Sequence, residues 1–368
     1  MPKTPETVLE IDLNALAHNY GLLRSRLPAA TGVMGVVKAF AYGSEAVAVS
    51  RKLEALGAGY LAVAFTQEGV TLRQGGVRCP ILVLHPQPSG LEDLMEYRLE
   101  PNLYSPRLLR LFSEAASQAG QTAYPVHLEF NTGLNRVGFW ENDLEWIVQQ
   151  LGGNDALEVR SVFSHLAASD DPGQDAFTRR QIEWFSVLAE RAGAVLPGPI
   201  FKHLLNTSGV LNYPEAHWDM VRTGIGLYGY SNDPETDKLF RPVTTLKTRI
   251  SQIHRIEPGE WVGYNKGYVA PDYRITATLP IGHADGIGRL YGKGVGEVTI
   301  AGKAAPIIGN VCMDMTMVDI TGIDCREGDS AVLFGNGHSA EDLAGRAGTI
   351  SYELLAGISQ RVPRVIIG

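Results

Sequence analysis

LEVRSVFSHLAASDDPGQDAFTRRQIEWFSVLAERAGAVLPGPIFKHLLN, residues 157–206, holds the architecture in miniature. A β-branched and aromatic run from Leu157 gives way, after a polar turn, to a long helix-patterned stretch from Gln174, and a second apolar run follows from Ile200. Two strands joined through a helix read as parallel neighbours in a sheet covered by helices. Outward from this unit the pattern repeats, with runs VMGVVKA from Val33, YLAVA from Tyr60, PILVL from Pro80, EPNLY from Glu100, YPVHLEF from Tyr124 and DMVRTG from Asp219. That makes eight candidate strands. SPRLLRLFSEAASQAG offers one of the intervening helices, with Ser105 as its cap and Pro106 in its first turn. Eight strand–helix units before residue 240 fit an α/β chain with an N-terminal (β/α)8 TIM-like barrel better than an open doubly wound sheet. The open sheet stays as the alternative because EPNLY is a weak strand.

Past residue 240 the texture changes. Period-two alternation appears in TTLKTRISQIHRIEPG, RITATLPIG and GEVTIAGKAAPIIG, broken by glycine-bearing turns. The expected division is therefore a barrel over residues 1–240 and a C-terminal all-β domain over 241–368, with residues 7–13 a candidate first strand of the latter.

With 368 residues, 45% hydrophobic and 20% charged, the chain can bury large cores, and disorder is excluded as its main state. The net charge of −8 comes from 40 acidic and 32 basic side chains mixed along the chain, with no cationic stripe for nucleic acid. No apolar run approaches the roughly 20 residues of a membrane span, so no membrane partner is expected and the chain reads as cytoplasmic. Cys79, Cys312 and Cys325 are too scattered for a disulfide framework or a zinc site, and no metal is expected. GVGEV at Gly294 lacks the strand-to-helix setting of a dinucleotide loop.

Residues at the carboxyl ends of barrel strands face the substrate. Here they include Lys38, Tyr42, Glu129, Asn131, Arg136, His165, Asn206, Thr207 and Arg222. Lys38 closes an apolar strand, where a desolvated amine could form a Schiff base, or where a long side chain could simply reach the rim. The strings NTSG at Asn206 and RTGIG at Arg222 place small residues after the last two strands, where barrels often hold phosphate and where glycines also serve as plain turns. Arg222 could donate to a heteroaromatic nitrogen or make an ordinary ion pair. His165 could relay protons or be a structural donor. Tyr264, in GYNKGY, is either an exposed turn residue or a base whose phenolate is favoured by nearby cations.

VVKAFAYG, residues 36–43, resembles the cofactor-lysine motif of alanine racemases. NTGLNRVG from Asn131, FSHLAASD from Phe163, MVRTGIGLYG from Met220, VGYNKGY from Val262, LPIGHADG from Leu279, GNVCMDM from Gly309 and SYELLAGISQRVPR from Ser351 look like the family's later blocks, in order. The resemblance covers essentially the whole chain. It implies pyridoxal 5′-phosphate on Lys38 as a Schiff base, with the phosphate held by Tyr42, Thr207, Gly224, Ile225 and Tyr352, and with Ser208 and Asn206 beside them. It implies Arg222 at the pyridine nitrogen and Lys38 and Tyr264 as two bases on opposite faces of the α-carbon. His165 would lie close to Tyr264 and Arg222 in one network, and Arg136 and the Met313 backbone would bind the substrate carboxylate. It further implies a homodimer in which each β domain closes the partner's barrel, and a product, D-alanine, that feeds peptidoglycan.

The chain departs from the family's pattern in places. Phe40 stands where an acidic or amide residue is usual, Ser44 and Glu45 follow the YG pair, and Asn131 stands where aspartate is common. Glu129 occupies the place of a carbamylated lysine and is expected to pair with Arg136 directly or through water. In the access corridor His283 replaces a tyrosine and Asn310 an arginine, which opens the mouth to side chains larger than methyl. A broad-specificity serine or lysine racemase is therefore the alternative. A non-catalytic carrier of the cofactor would lack the β domain and Tyr264, and a decarboxylase would set a carboxylate where Arg222 stands.

Overall fold

The computed structural model describes residues 6–335 and 337–368. Eight parallel strands close into a barrel: β2 (Gly32–Val36), β3 (Tyr60–Val63), β4 (Ile81–Val83), β5 (Glu100–Leu103), β6 (Tyr124–Glu129), β7 (Leu157–Phe163), β8 (Phe201–His203) and β9 (Met220–Thr223), with β9 pairing back onto β2; β1 (Val8–Asp12) lies outside it. Every strand expected from the sequence is present, the weak EPNLY included, and the open sheet is excluded by closure. Strands β3, β4, β5 and β9 are buried at every residue, because helices cover one face and the barrel interior the other. The helix Pro106–Gln118 begins where its signals place it, with Ser105 Oγ accepting from Leu108 N at 3.3 Å.

The remaining strands are β10 (Thr244–Arg249), β11 (Gln252–Ile256), β12 (Trp261–Val262), β13 (Tyr268–Val269), β14 (Arg274–Leu279), β15 (Glu297–Ile300), β16 (Lys303–Ile308), β17 (Thr316–Asp319), β18 (Ser330–Phe334) and β19 (Arg364–Ile367). All but the β12–β13 hairpin join β1 in a nine-stranded sheet. In β10 buried residues alternate with more exposed ones, the period of a sheet with one packed face. β1 pairs antiparallel with β10 and parallel with β19, so the first and last strands lie side by side in this sheet.

Two polar side chains lock the sheet to the barrel. Asn19 is fully buried; its Nδ2 donates to the carbonyls of Leu227 at 3.1 Å and Arg241 at 2.8 Å, and its Oδ1 accepts from Arg241 N at 2.8 Å. Arg364 Nη2, on β19, donates to Gly43 O at 2.9 Å, at the barrel's first strand–helix loop. Polar groups satisfied this fully specify one arrangement.

Candidate active site

Lys38 follows β2 and opens a turn with an unusual backbone. Ala39, Phe40, Ala41 and Tyr42 all have positive φ, between 53° and 55°, before Gly43 at 78°. A left-handed turn of L-residues costs about 1–2 kcal/mol per residue, so neighbours must hold it. Glu68 is one such neighbour: its Oε1 accepts from Ala39 N at 2.6 Å and its Oε2 from Ala64 N at 2.7 Å, joining the lysine turn to the end of β3. On the other side, a Cβ at Gly43 would sit 2.0 Å from Leu355 O, so only glycine lets the turn close against the Ser351–Ala356 helix. The result is a lysine aimed into a cavity of about 510 Å³ at the barrel mouth. Burial, reinforced by Arg136 and Arg222 and opposed by Glu68, holds its amine below the ordinary lysine range.

The same cavity is lined by Tyr42, Glu129, Arg136, His165, Asn206, Thr207, Arg222, Gly224, Ile225 and Tyr352, so eleven of the sequence-derived residues, Lys38 included, meet there. One end is a set of hydroxyl donors. Thr207 Oγ1 already accepts from Gly224 N and Gly226 N, both at 3.2 Å, which leaves its own proton to give away. Asn232 Nδ2 donates to Tyr352 Oη at 3.2 Å and to Ser208 Oγ at 3.4 Å, with the same consequence. Tyr42 stacks on Tyr228 at 4.5 Å, and a Cβ at Gly224 would fall 2.4 Å from its hydroxyl. Free hydroxyl protons beside a side-chain-free backbone suit an acceptor-rich anion such as phosphate. Asn206 supports this end from behind, since its Oδ1 accepts from Gly209 N at 2.8 Å and caps the short helix that carries Thr207.

Arg222 lies across the cavity floor over Phe163, 5.1 Å from the ring centroid. Its Nη1 donates to His203 Nδ1 at 2.7 Å; its Nη2 donates to Ser164 O at 2.6 Å, Leu204 O at 3.0 Å and His165 Nδ1 at 3.0 Å. Nε has no partner among the described residues. Burial pulls the guanidinium down to about 10, with Glu129 opposing and Arg136 adding, so it stays charged at neutral pH. Because the guanidinium only donates, a ring nitrogen facing it must be the acceptor.

His165 and His203 are both held well below the usual imidazole range, by burial first and then by the charge of Arg222. In the unfolded chain they recover an ordinary value near 6.5, so below that pH the unfolded chain binds more protons than the folded one. Stability is then lost as the pH falls, by on the order of 1 kcal/mol per pH unit for each imidazole. Melting temperatures taken from about pH 7 to about pH 5 should decline steadily, whereas a flat profile would mean that these rings accept protons in the fold.

Of the two pairings expected for Glu129 with Arg136, directly or through water, the direct one is not formed. The Glu129 carboxylate is buried and accepts from Asn102 Nδ2 at 2.5 Å, and no ion pair joins it to Arg136 among the described residues. Burial raises it, the Asn102 bond being the main opposing effect and the charges of Arg222 and Arg136 smaller ones. Arg136 is placed instead by its loop, where Asn131 Oδ1 accepts from Gly133 N and Asn135 N, each at 3.0 Å.

Tyr264 and Met313 are not at this cavity. They lie on the β domain, 72% and 59% exposed, around a separate hollow, so in one chain Tyr264 lies apart from the cavity that His165 lines. His283 N donates to Cys312 O at 2.9 Å, and Asn310 Nδ2 donates to Tyr264 O at 2.9 Å, so both corridor residues belong to the same loops. Sequence reasoning missed Glu68, Asn102, His203 and Asn232, which act on the site through other residues. Only His203, at the end of a strand, carried a signal that could have found it.

Residues 11–232 match the family described as alanine racemase, N-terminal domain, and residues 243–366 its C-terminal domain. Alanine racemase 1 of Clostridium acetobutylicum is 37% identical over 371 residues, covering 97% of this chain and 94% of its own. The alanine racemase of Geobacter sp. strain M21 is 38% identical over 382 residues, covering 98% and 99%. Among solved structures, alanine racemase of Clostridium difficile 630 superposes with a TM-score of 0.93 at 33% identity, over 99% of this chain and 96% of that one. The enzyme from D-cycloserine-producing Streptomyces lavendulae gives 0.93 at 34% identity, over 100% and 98%.

Proposed function

The chain belongs to the alanine racemase family, and we propose accordingly that it interconverts L- and D-alanine with pyridoxal 5′-phosphate bound at the barrel mouth. The observation that carries this reading is the cavity itself, which joins a depressed lysine, a buried arginine donor and a cluster of free hydroxyl protons. The donor set fits the cofactor. Tyr42, Thr207, Ser208, Gly224, Ile225 and Tyr352 would hold the phosphate, Lys38 would bind the cofactor covalently, and Arg222 Nε would donate to the pyridine nitrogen. When bound, the cofactor supplies an electron sink next to the substrate's α-carbon.

The chain's own groups supply the rest. Lys38 Nζ, short of its usual proton affinity, takes or returns the α-proton on one face, and the Tyr264 hydroxyl does so on the other. His165 Nδ1 accepts from Arg222, so its proton sits on Nε2, where it can donate onward. Arg136 and the Met313 N–H bind the substrate carboxylate, with Glu129 as a counter-charge.

Because Tyr264 and Met313 lie away from the cavity of their own chain, the reading includes a homodimer in which each β domain covers the partner's barrel. The exposed Trp261, Tyr264, Leu290, Met313 and Met315 give that domain the apolar surface such a contact buries. The place of action is the cytoplasm, where the three free cysteines are at home, and D-alanine supplied to peptidoglycan is the product. No helix among the described residues is long and apolar enough to cross a membrane.

The test is α-hydrogen exchange in heavy water with L-alanine, L-serine and L-lysine supplied separately, the D-products being separated chirally. Alanine alone should exchange and invert. Comparable turnover of serine or lysine would move the assignment to a broad racemase, which the relatives do not favour, and no exchange would remove the racemase reading. Glu129→Gln should raise KM for alanine by roughly tenfold, about 1.4 kcal/mol of lost charge complementarity toward Arg136. Unchanged kinetics would take Glu129 out of substrate binding.

A further inference from the structure

The barrel interior contains a row of polar side chains where such barrels normally stack Val, Ile and Leu. Five adjacent strands contribute one each: Glu100 on β5, His127 on β6, Ser161 on β7, His203 on β8 and Arg222 on β9. His127, Ser161 and His203 are fully buried. Each touches the next, with Glu100 Oε2 to His127 Nε2 at 2.8 Å, His127 Nδ1 to Ser161 Oγ at 2.6 Å, Ser161 Oγ to His203 Nε2 at 3.0 Å, and His203 Nδ1 to Arg222 Nη1 at 2.7 Å.

Proton accounting gives this row a direction. Arg222 can only donate, so His203 Nδ1 accepts. A neutral His203 then carries its proton on Nε2 and donates to Ser161. Ser161 has one proton, which goes to His127 Nδ1. His127 must therefore bear its own proton on Nε2, and it donates to the Glu100 carboxylate, which also accepts from Tyr60 Oη at 3.1 Å. Every hydrogen runs from a cation at the mouth toward a carboxylate at the start of β5, and no donor faces a donor.

We propose that Glu100, His127, Ser161 and His203 are positioning residues for Arg222, a one-way hydrogen-bond chain that selects the His203 tautomer able to accept from the guanidinium. The proposal rests on the racemase reading for its kinetic consequence and on geometry alone for the chain. Stacking already fixes the plane of the His203 ring, which lies 4.6 Å from Phe163 at 11° and 5.6 Å from Phe201 at 29°. Stacking does not decide which nitrogen bears the proton. The row decides it from its far end: His127 must donate to the Glu100 carboxylate and so accept from Ser161, which leaves the Ser161 oxygen to accept from His203 Nε2. With the opposite tautomer, Nδ1–H would face Nη1 donor to donor, and Arg222 would be pushed from the orientation that leaves Nε free. Apolar side chains of similar volume often replace buried ionic and polar groups without loss of stability, so packing alone does not call for a polar row here.

The experiment compares the holoenzyme with Ser161→Ala, which removes one oxygen from a buried strand and nothing else. The ¹⁵N spectra of histidine-labelled protein should show His203 and His127 each as a single Nε2–H tautomer in the parent. In Ser161→Ala the His203 signals should lose that single tautomer, kcat for alanine should fall about tenfold with KM within about twofold, and the visible absorbance of the bound cofactor should shift. Glu100→Gln, which keeps an acceptor and loses the charge, should give the same changes at a smaller size, and it decides the matter if Ser161→Ala fails to fold. A parent His203 protonated on Nδ1 overturns the proposal. So does a Ser161→Ala protein whose tautomer, kcat and absorbance match the parent while only its melting temperature drops, since the row would then be core filling. Absence of turnover by the parent refutes the racemase reading instead, and the nitrogen spectra still decide the chain.

Discussion

Lys38→Ala is expected to leave the purified protein without the visible absorbance of covalently held cofactor and to lower alanine racemisation by at least about 10⁴, the upper range for removing a single general acid–base group. Two losses combine in this one change. The amine lines the cavity and is held below its ordinary range by burial and by Arg136 and Arg222, which favours its nucleophilic form. It is also the proposed base for one face of the α-carbon. The rest of the cavity should persist, because the left-handed turn is held by the Ala39 and Gly43 backbone rather than by the lysine side chain. Cofactor should therefore still bind, reversibly, through the hydroxyl cluster. A variant that kept a covalent, borohydride-reducible chromophore would remove Lys38 from its assigned role.

Tyr264→Phe is expected to lower racemisation by about 10³, in the middle of the 10²–10⁴ range for a positioned proton donor or acceptor. The loss in kcat/KM must be equal in both directions, since the two enantiomers of alanine have the same free energy in water. The asymmetry appears in exchange. The family resemblance assigns Lys38 to the α-hydrogen of D-alanine and Tyr264 to that of L-alanine, so with Lys38 intact D-alanine should still trade its α-hydrogen for deuterium without inverting, while L-alanine should not. Exchange that survived on L-alanine instead would reverse the assignment of the two faces. Equal wild-type rates for both would show that Tyr264, 72% exposed in the single chain, stays outside the reaction. Phenylalanine keeps the ring, so the surface that Tyr264 shares with Met313 is preserved and the test isolates the hydroxyl.

Local pattern was enough for the scaffold. Strands such as YLAVA and PILVL are apolar at every position because a barrel strand is covered on both faces, and Ser105-Pro106 starts a helix by satisfying backbone donors that any helix leaves open. Because strand ends form the mouth of such a barrel, Lys38, His165 and Arg222 could also be named from the sequence, and the ordered family blocks extended the set to Tyr42, Thr207 and Tyr352.

The elements, their order and the identity of the residues that gather at the mouth were thus legible in the amino acids, because all of these depend on contacts between near neighbours or on strand polarity. How those residues are held was visible only in the folded chain. Nothing in AFAY favours four consecutive left-handed residues; the turn exists because Glu68 on one side and Arg364 and the Ser351–Ala356 helix on the other offset its cost. Glu129 accepts from Asn102, Asn206 caps a helix, and the row from Glu100 to Arg222 assigns each histidine its proton. In each case a buried polar group must find its partner wherever the closed barrel brings one, and closure joins side chains that lie far apart in sequence.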